Sequence, residues 1–248
     1  MSQEVIDEHY QRIAERYSDY LSYSGDFVTA LVTKMIDMLR LSEDDVFVDV
    51  GGGTGIYTAA ILEQLQLREP VVLVDFSADM LDHVPEDLPV EKVHMDALTF
   101  SEQPRRYDKV LIKETVHHVD DRRALFQNLY ERLQPGGALL LVHVPPDLDY
   151  PLFEAAKKRA MRWHADPDEL ERLLGEVGLR VERDAVDWAH SMPKQRYFDM
   201  VASQYMSVLS SFSEEEIAEG LREMDETYAE VEVLEFTDHF DYIVGYKS

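Results

Sequence analysis

The chain has 248 residues, 45% of them hydrophobic, which is enough to bury the core of one α/β domain. It carries 50 acidic and 24 basic residues, a formal net charge of −26, and no cysteine. The charge disfavours a nucleic-acid partner, because an acidic surface repels phosphate backbones. The lack of cysteine excludes disulfides, thiolate metal ligands and a cysteine nucleophile. The acidity indicates a solvated surface, although a high-salt host would give the same composition.

Neither a membrane span nor a secretion signal is predicted. No apolar run reaches membrane-spanning length, and the first residues, Met1-Ser2-Gln3-Glu4, lack a basic and apolar signal pattern. We therefore expect a cytoplasmic protein with no membrane partner. Its oligomeric state is left open by the sequence.

The N-terminal part of the chain is predicted to be helical. Apolar and aromatic residues recur at helical spacing from Glu4 to about Leu21, and again from Phe27 to Leu39. The first of these segments is rich in tyrosine. An aromatic packing face would explain the tyrosines, and so would a lid over a bound ligand. Residues 1–42 are predicted to form such an N-terminal helical lid.

A strand, a glycine-rich turn and a helix come next. Val46 to Val50 are strand-forming apart from Asp49, and Ile56 to Leu62 has the pattern of a helix. The turn between them is Gly51-Gly52-Gly53-Thr54-Gly55, which lets a ligand approach the backbone and receives the free N–H groups of the helix. This order predicts a nucleotide-type pocket at the end of the first strand. The Gly-x-Gly-x-Gly spacing disfavours a nicotinamide dehydrogenase, and the absence of Gly-Lys-Ser/Thr argues against a phosphate loop.

Strands and helices then alternate along the chain. The later predicted strands are Val71–Val74 (closed by Asp75), Val90–His94, Tyr107–Ile112, Ala138–Val144, Leu179–Val186 and Phe240–Tyr246. The later predicted helices are Ala78–His83, Arg122–Leu133, one that starts at Asp166 and one from Ser213 to about Met224. The alternation, with nearly continuous apolar strands, predicts a mostly parallel sheet with helices on both faces.

The segment Val-Asp-Val-Gly-Gly-Gly-Thr-Gly, residues 48–55, closely resembles the first motif of class I S-adenosylmethionine-dependent methyltransferases of the small-molecule type. Three further segments, at Asp75, at Asp96 and at 107–119, follow in the order and spacing of that family. The resemblance implies a Rossmann-like sheet of seven strands with the last strand inserted antiparallel. It also implies a single domain, 1–248, with a cofactor-binding core (43–190), a cap insertion (191–228) and a last strand (229–248).

The same resemblance implies which residues hold S-adenosylmethionine. Asp75 would accept hydrogen bonds from the ribose hydroxyls, and Asp96 with Ala97 would bind the adenine. Asp49, costly as a bare charge inside a strand, would orient the glycine loop or hold the amino group of the cofactor. Lys113 would offer its backbone carbonyl. The predicted cofactor-binding set is Tyr17, Asp49, Gly51, Gly53, Asp75, Phe76, Met80, Asp96, Ala97 and Lys113, with core packing as the alternative role for Met80.

The predicted reaction is methyl transfer to an oxygen, nitrogen or carbon atom of a small molecule, with S-adenosylhomocysteine as product. A base is optional, and the candidates are Glu114 and His117, for which loop packing is the alternative. The predicted substrate-binding residues are His118, His143, Trp163, Arg196 and Tyr197. No metal site is predicted, because no His-x-x-x-His spacing is present. Two alternatives stay open: a non-methylating enzyme of the same fold, such as a cyclase, and a ligand-binding module that uses the cofactor structurally.

Overall fold

The computed structural model describes residues 24–248, so Tyr17 and the first predicted helix lie outside the described residues. The helices in this range are α1 (Gly25–Leu39), α2 (Ile56–Gln64), α3 (Ala78–Asp82), α4 (Ala97–Ser101), α5 (Arg122–Arg132), α6 (Glu154–Trp163), α7 (Pro167–Glu176), α8 (Lys194–Ala202) and α9 (Glu214–Thr227). The strands are β1 (Phe47–Val50), β2 (Val71–Asp75), β3 (Val90–His94), β4 (Tyr107–Lys113), β5 (Leu133–His143), β6 (Arg180–Pro193) and β7 (Val233–Tyr246). None of these helices has the length and apolar character that crossing a membrane requires.

The seven strands form one sheet in the order β3-β2-β1-β4-β5-β7-β6. Strands β1 to β5 pair in parallel, whereas β7 lies antiparallel between β5 and β6. The chain moves outward from β1 to β2 and β3, then returns to place β4 on the other side of β1. Ligands bind at such a reversal, beyond the carboxyl ends of the strands. The predicted Rossmann-like sheet with an antiparallel last strand is confirmed.

Two apolar layers enclose the sheet, because alternate residues of a strand face opposite sides. In β5, Leu140 and Val142 pack into the layer that contains α1, and Leu139 and Leu141 pack into the layer that contains α5 and α7. Helix α1 is buried along one face and receives a hydrogen bond of 3.1 Å from the Tyr242 hydroxyl to its Leu31 carbonyl. The described part of the predicted lid is therefore built into the core.

Strands β6 and β7 are longer than predicted and form a ribbon. Strand β5 pairs with β7 only from Ala138 to His143, where His143 lies opposite Asp241. Residues 233–240 of β7 pair with β6 alone, as far as Pro193 opposite Val233. The predicted ends, Val186 and Phe240, were too short because polar residues alternate with apolar ones along the extension. Its inward residues Met192, Leu234 and Phe236 pack into the core, whereas the alternate residues are largely exposed. The insertion between these strands therefore starts at 194 instead of 191, and its role as a cap stays a prediction.

The packing of α9 against Phe153 leaves no room for a side chain at Gly220, which can be tested. A Cβ at this position would lie 2.4 Å from Cδ1 of the buried Phe153 ring, whereas a Cβ at the exposed helical Gly175 would meet nothing within 4 Å. We expect Gly220→Ala to lower the free energy of unfolding by about 1–3 kcal/mol through overpacking. The matched Gly175→Ala should raise it by roughly 0.5–1 kcal/mol, since alanine favours helices. Urea unfolding of both variants measures this, and equal effects would contradict the packing.

Candidate active site

The glycine loop between β1 and α2 is tied to the neighbouring strand β2. The N–H groups of Gly51 and Gly52 donate to the Val74 carbonyl at 2.7 and 3.1 Å. Gly51 has a φ of 78°, and a Cβ there would lie 1.9 Å from Thr115 Oγ1, so only glycine fits. The loop thus lies flat against the ends of β2 and β4, with the N-terminus of α2 behind it.

Asp75, the last residue of β2, continues this attachment through its side chain. Its Oδ2 accepts the Gly53 N–H at 2.9 Å, and its Oδ1 accepts the Ser77 N–H at 2.9 Å. Burial raises the pKa of this carboxyl, and backbone hydrogen bonds with Ser77, Gly53 and Phe76 oppose the rise. A carboxylate offers about four lone-pair positions, so it can still accept a hydrogen bond from a ligand.

Asp49 is almost completely buried in β1 and has the polar partner that its position demands. The Thr58 hydroxyl, from the first turn of α2, donates to its Oδ2 at 2.6 Å. Burial raises the pKa of Asp49 to about 6, although this hydrogen bond acts in the opposite direction. Thr58, which was not predicted, therefore holds the helix to the strand behind the glycine loop.

A crevice of about 270 Å³ opens at the carboxyl ends of the strands. Its lining residues are Gly51, Gly53, Asp75, Phe76, Met80, Asp96, Ala97, Leu98, Lys113, Glu114, Thr115, His118, Val119, Asp120 and Asp121. The crevice thus gathers eight of the ten predicted cofactor-binding residues. Asp49 lines a narrow pocket of about 20 Å³ beside it, together with Gly51, Gly53, Lys113 and Glu114.

The glycine-loop end of the crevice has the chemistry that an adenosine group needs. Phe76, Met80 and Leu98 supply apolar surface, and the Asp75 and Asp96 carboxylates supply acceptors for hydroxyl and amino groups. Asp96 caps α4 by accepting the Thr99 N–H at 2.9 Å. Partial burial opposes ionisation of Asp96, but its hydrogen bonds with Thr99 outweigh burial and lower its pKa. The residues present therefore fit S-adenosylmethionine.

At the other end of the crevice, β4 closes with Lys113 and Glu114. Glu114 has a φ of 50°, a backbone conformation that costs a non-glycine residue about 1–3 kcal/mol and is common at functional sites. Its Oε1 accepts the Val144 N–H at 2.7 Å. Burial raises the pKa of Glu114, with Lys113 acting against the rise. The Lys113 carbonyl, predicted to contact the cofactor, already accepts a hydrogen bond of 3.0 Å from Thr115 Oγ1.

The adjacent residues His117 and His118 lie in different surroundings, one in the core and one at the crevice. His118 lines the crevice, whereas His117 is not among the lining residues, and neither of its buried ring nitrogens has a hydrogen-bond partner in residues 24–248. The His117 ring lies 4.1 Å from that of His118 and 5.2 Å from that of His164. Burial lowers the pKa of His117 well below its ordinary value and those of His118 and His164 to about 4. Within residues 24–248, no group of three or more metal-ligating side chains is arranged to hold a metal ion.

The other predicted substrate-binding residues lie outside the crevice lining. Trp163 lies behind His118, at 6.1 Å between rings, and donates its Nε1–H to Ser207. His143 is buried at the end of β5, with Nδ1 3.1 Å from the Val144 carbonyl. Tyr197 is buried in the core, and Arg196 is exposed on α8. The structure thus brings only His118 of this set to the crevice, because the side chains of α8 pack into the core or point to solvent.

Five lining residues were not predicted: Leu98, Thr115, Val119, Asp120 and Asp121. Thr115, Val119 and the two aspartates belong to the loop after β4, and Leu98 lies one residue beyond Ala97. The signal that could have identified them is that each lies close in sequence to a residue predicted to be in the site. Side-chain direction within a loop has no periodicity from which it can be predicted.

The buried histidines make stability depend on pH, and His164 offers a test. Its folded pKa of about 4 lies below the unfolded value near 6.5, so the unfolded chain binds a proton that the folded chain does not as pH falls from 6.5 to 4. The quantity to measure is the difference in unfolding free energy between wild type and His164→Gln. We expect this difference to shift by about 1–2 kcal/mol against wild type between pH 7 and pH 5. Asp49, whose pKa is raised, acts in the opposite direction but is present in both proteins and cancels. A difference that does not change with pH would contradict the buried neutral imidazole.

Comparison with known proteins agrees with this geometry. A family described as "Methyltransferase domain" matches residues 47–137. An uncharacterized methyltransferase of Mycobacterium bovis is 30% identical over 178 residues, which cover 71% of this chain and 70% of that protein. Phosphoethanolamine N-methyltransferase 3 of Arabidopsis thaliana is 27% identical over 195 residues, 74% of this chain but only 39% of the plant enzyme, so the chain spans well under half of that relative.

A solved structure with the same fold is that of Haemonchus contortus phosphoethanolamine N-methyltransferase 2 in complex with phosphomonomethylethanolamine and S-adenosylhomocysteine. It superposes with a TM-score of 0.55 at 17% identity and covers 93% of this chain and 59% of that one. The glycine loop, the acids after β2 and β3, and these similarities lead to one conclusion. The chain belongs to the class I S-adenosylmethionine-dependent methyltransferases.

Proposed function

We propose that the protein transfers a methyl group from S-adenosylmethionine to a small-molecule acceptor. The observation that carries this proposal is the division of one crevice into an adenosine end, with Asp75 and Asp96, and a reactive end, with Glu114 and His118. When bound, S-adenosylmethionine supplies a methyl group already activated on its sulfonium. The task of the chain is then to align the acceptor and exclude water.

The residues that would hold the cofactor are those of the adenosine end. Asp75 has lone pairs left for the ribose hydroxyls, and Phe76 and Met80 offer apolar surface to the base. The glycine loop lets the ligand approach the backbone, and Asp49 and Lys113 lie in the narrow pocket beyond it. Tyr17 belongs to this set as a prediction only.

The reactive end favours an amine as acceptor. Glu114, Asp120 and Asp121 all line the crevice, and carboxylates stabilise an ammonium group before it loses its proton. The names of two relatives contain phosphoethanolamine, an amine, which supports the same class. Glu114, with a raised pKa, can take the proton that an amine must lose, since only its Oε1 accepts a hydrogen bond from the backbone.

His118 is a better candidate for the acceptor contact than His117. His118 lines the crevice, while the nitrogens of His117 are buried behind it. With a pKa of about 4, His118 is neutral near pH 7 and can orient the acceptor through a hydrogen bond, though it is a weak base. A cytoplasmic location and the absence of a nucleic-acid partner stay predictions.

Cofactor binding tests the adenosine end. We expect Asp75→Ala to weaken S-adenosylhomocysteine binding at least tenfold by isothermal titration calorimetry, because the variant loses the hydroxyl acceptor and the bond to Gly53 N–H. The matched control is Asp82→Ala, which removes the same charge from an exposed position on α3. Equal affinities for both variants would contradict the ribose assignment.

Turnover tests the reaction itself. With methyl-labelled cofactor and a panel of small amines and metabolite extract, we expect a labelled product. His118→Asn should lower its rate at least tenfold without changing cofactor affinity, because the acceptor contact is lost while the adenosine end is unchanged. His117→Asn, the matched control, should retain most of the rate, and the opposite order would restore His117 as the reactive histidine. Cofactor binding with no labelled product from any acceptor would favour a non-methylating enzyme of this fold.

A further inference from the structure

The Lys113 side chain is a cation without an ionic partner at the junction of the crevice and the narrow pocket. Its Nζ lies 4.2 Å from the centre of the Tyr57 ring and 4.9 Å from that of the Phe240 ring. Within the described residues it makes neither a salt bridge nor a side-chain hydrogen bond, although it lines both cavities. An ammonium between two aromatic faces is held in place by cation–π attraction and keeps its three N–H donors available.

Lys113 does not serve as the ion-pair partner of a neighbouring acid among the described residues. Burial lowers the pKa of Lys113, and the charges of Glu114, Asp238 and Asp49 oppose that decrease, yet none of these carboxylates forms a salt bridge with the ammonium. Asp238 is instead paired with the buried His190 at 2.8 Å, Glu114 with the Val144 N–H, and Asp49 with Thr58. Each acid thus has a hydrogen-bond partner of its own, although Asp238 Oδ1 has none within residues 24–248, whereas the described contacts of the Lys113 ammonium are with aromatic rings.

The narrow pocket limits what that space can hold. About 20 Å³ is room for roughly one water-sized group, so only the tip of a ligand can enter and a ring cannot. Lys113 supplies a cation and Asp49 a carboxylate to the lining, and the buried Thr54 hydroxyl, which also lines it, has no hydrogen-bond partner among residues 24–248. A small group that carries both charges would match all three.

We propose that the Lys113 ammonium binds the carboxylate of the amino-acid end of the cofactor, while Asp49 faces its α-ammonium. This inference rests on the proposed function, because it assigns the side chain of Lys113 a role at the same site. It adds a specific consequence: the protein should distinguish ligands that carry the amino-acid end from ligands that carry only the adenosine and the sulfur.

Two ligands isolate this contact. S-adenosylhomocysteine and 5′-methylthioadenosine share the adenosine and the thioether, and only the first has the amino-acid end. We expect wild type to bind S-adenosylhomocysteine at least tenfold more tightly by calorimetry, with an affinity that falls as salt rises. Lys113→Met should lose at least tenfold in S-adenosylhomocysteine affinity and stay within about twofold for 5′-methylthioadenosine, because the adenosine end is unchanged.

Lys158→Met, which removes a positive charge from an exposed position on α6, is the matched control and should change neither affinity. If Lys113→Met does not fold, Lys113→Gln, which keeps a polar end without the charge, replaces it. Equal loss of both ligands in the variant, or no loss of either, would overturn the inference and leave Lys113 a packing residue. A wild-type protein that binds neither ligand would instead contradict the proposed function.

Discussion

The site depends on the attachment of the glycine loop to the end of β2. Two loop N–H groups share the Val74 carbonyl, and a third, from Gly53, donates to the Asp75 side chain. These bonds position the loop and at the same time orient the carboxylate that we propose binds the ribose. The same acid thus serves the fold and the ligand, so a change at Asp75 alters the pocket as well as one contact. Thr115 closes the arrangement from β4, where it leaves no room for a side chain on Gly51.

The charged groups around this attachment are stabilised to different degrees. Asp49 and Asp75 each have hydrogen-bond donors that offset part of the cost of burial, whereas the described contacts of the Lys113 ammonium are with aromatic rings. Within the part of the chain that the structure describes, the ring nitrogens of His117 and His164 have no hydrogen-bond partner, which costs stability but keeps both imidazoles neutral. Buried ionisable groups with few hydrogen-bond partners are therefore concentrated on the reactive side of the crevice, which is typical of functional sites.

Much of the fold and the adenosine end could be predicted from sequence because their signals are local. The glycine run, the apolar strands and the acid that closes each strand lie within a few residues of one another, and the parallel topology brings those ends to one edge. The predicted β3 (Val90–His94) coincides with the structure, and the predicted helix starts at Ala78 and near Ser213 are confirmed. The β6–β7 ribbon was missed because polar residues alternate with apolar ones in its outer half, and its buried residues, such as Leu234 and Phe236, join the core through contacts distant in sequence.

The reactive end is built from contacts that are distant in sequence, which is why its residues were only partly foreseen. Phe240 reaches Lys113 because the antiparallel ribbon extends past the carboxyl end of β5, and Asp238 is buried nearby on the same strand. His164 meets His117 across the gap between α6 and the loop after β4. None of these contacts produces a periodic pattern in the sequence. The adenosine end is thus specified by motifs that sequence reasoning can find, while the acceptor end depends on contacts with the late part of the chain, such as that of Phe240 with Lys113.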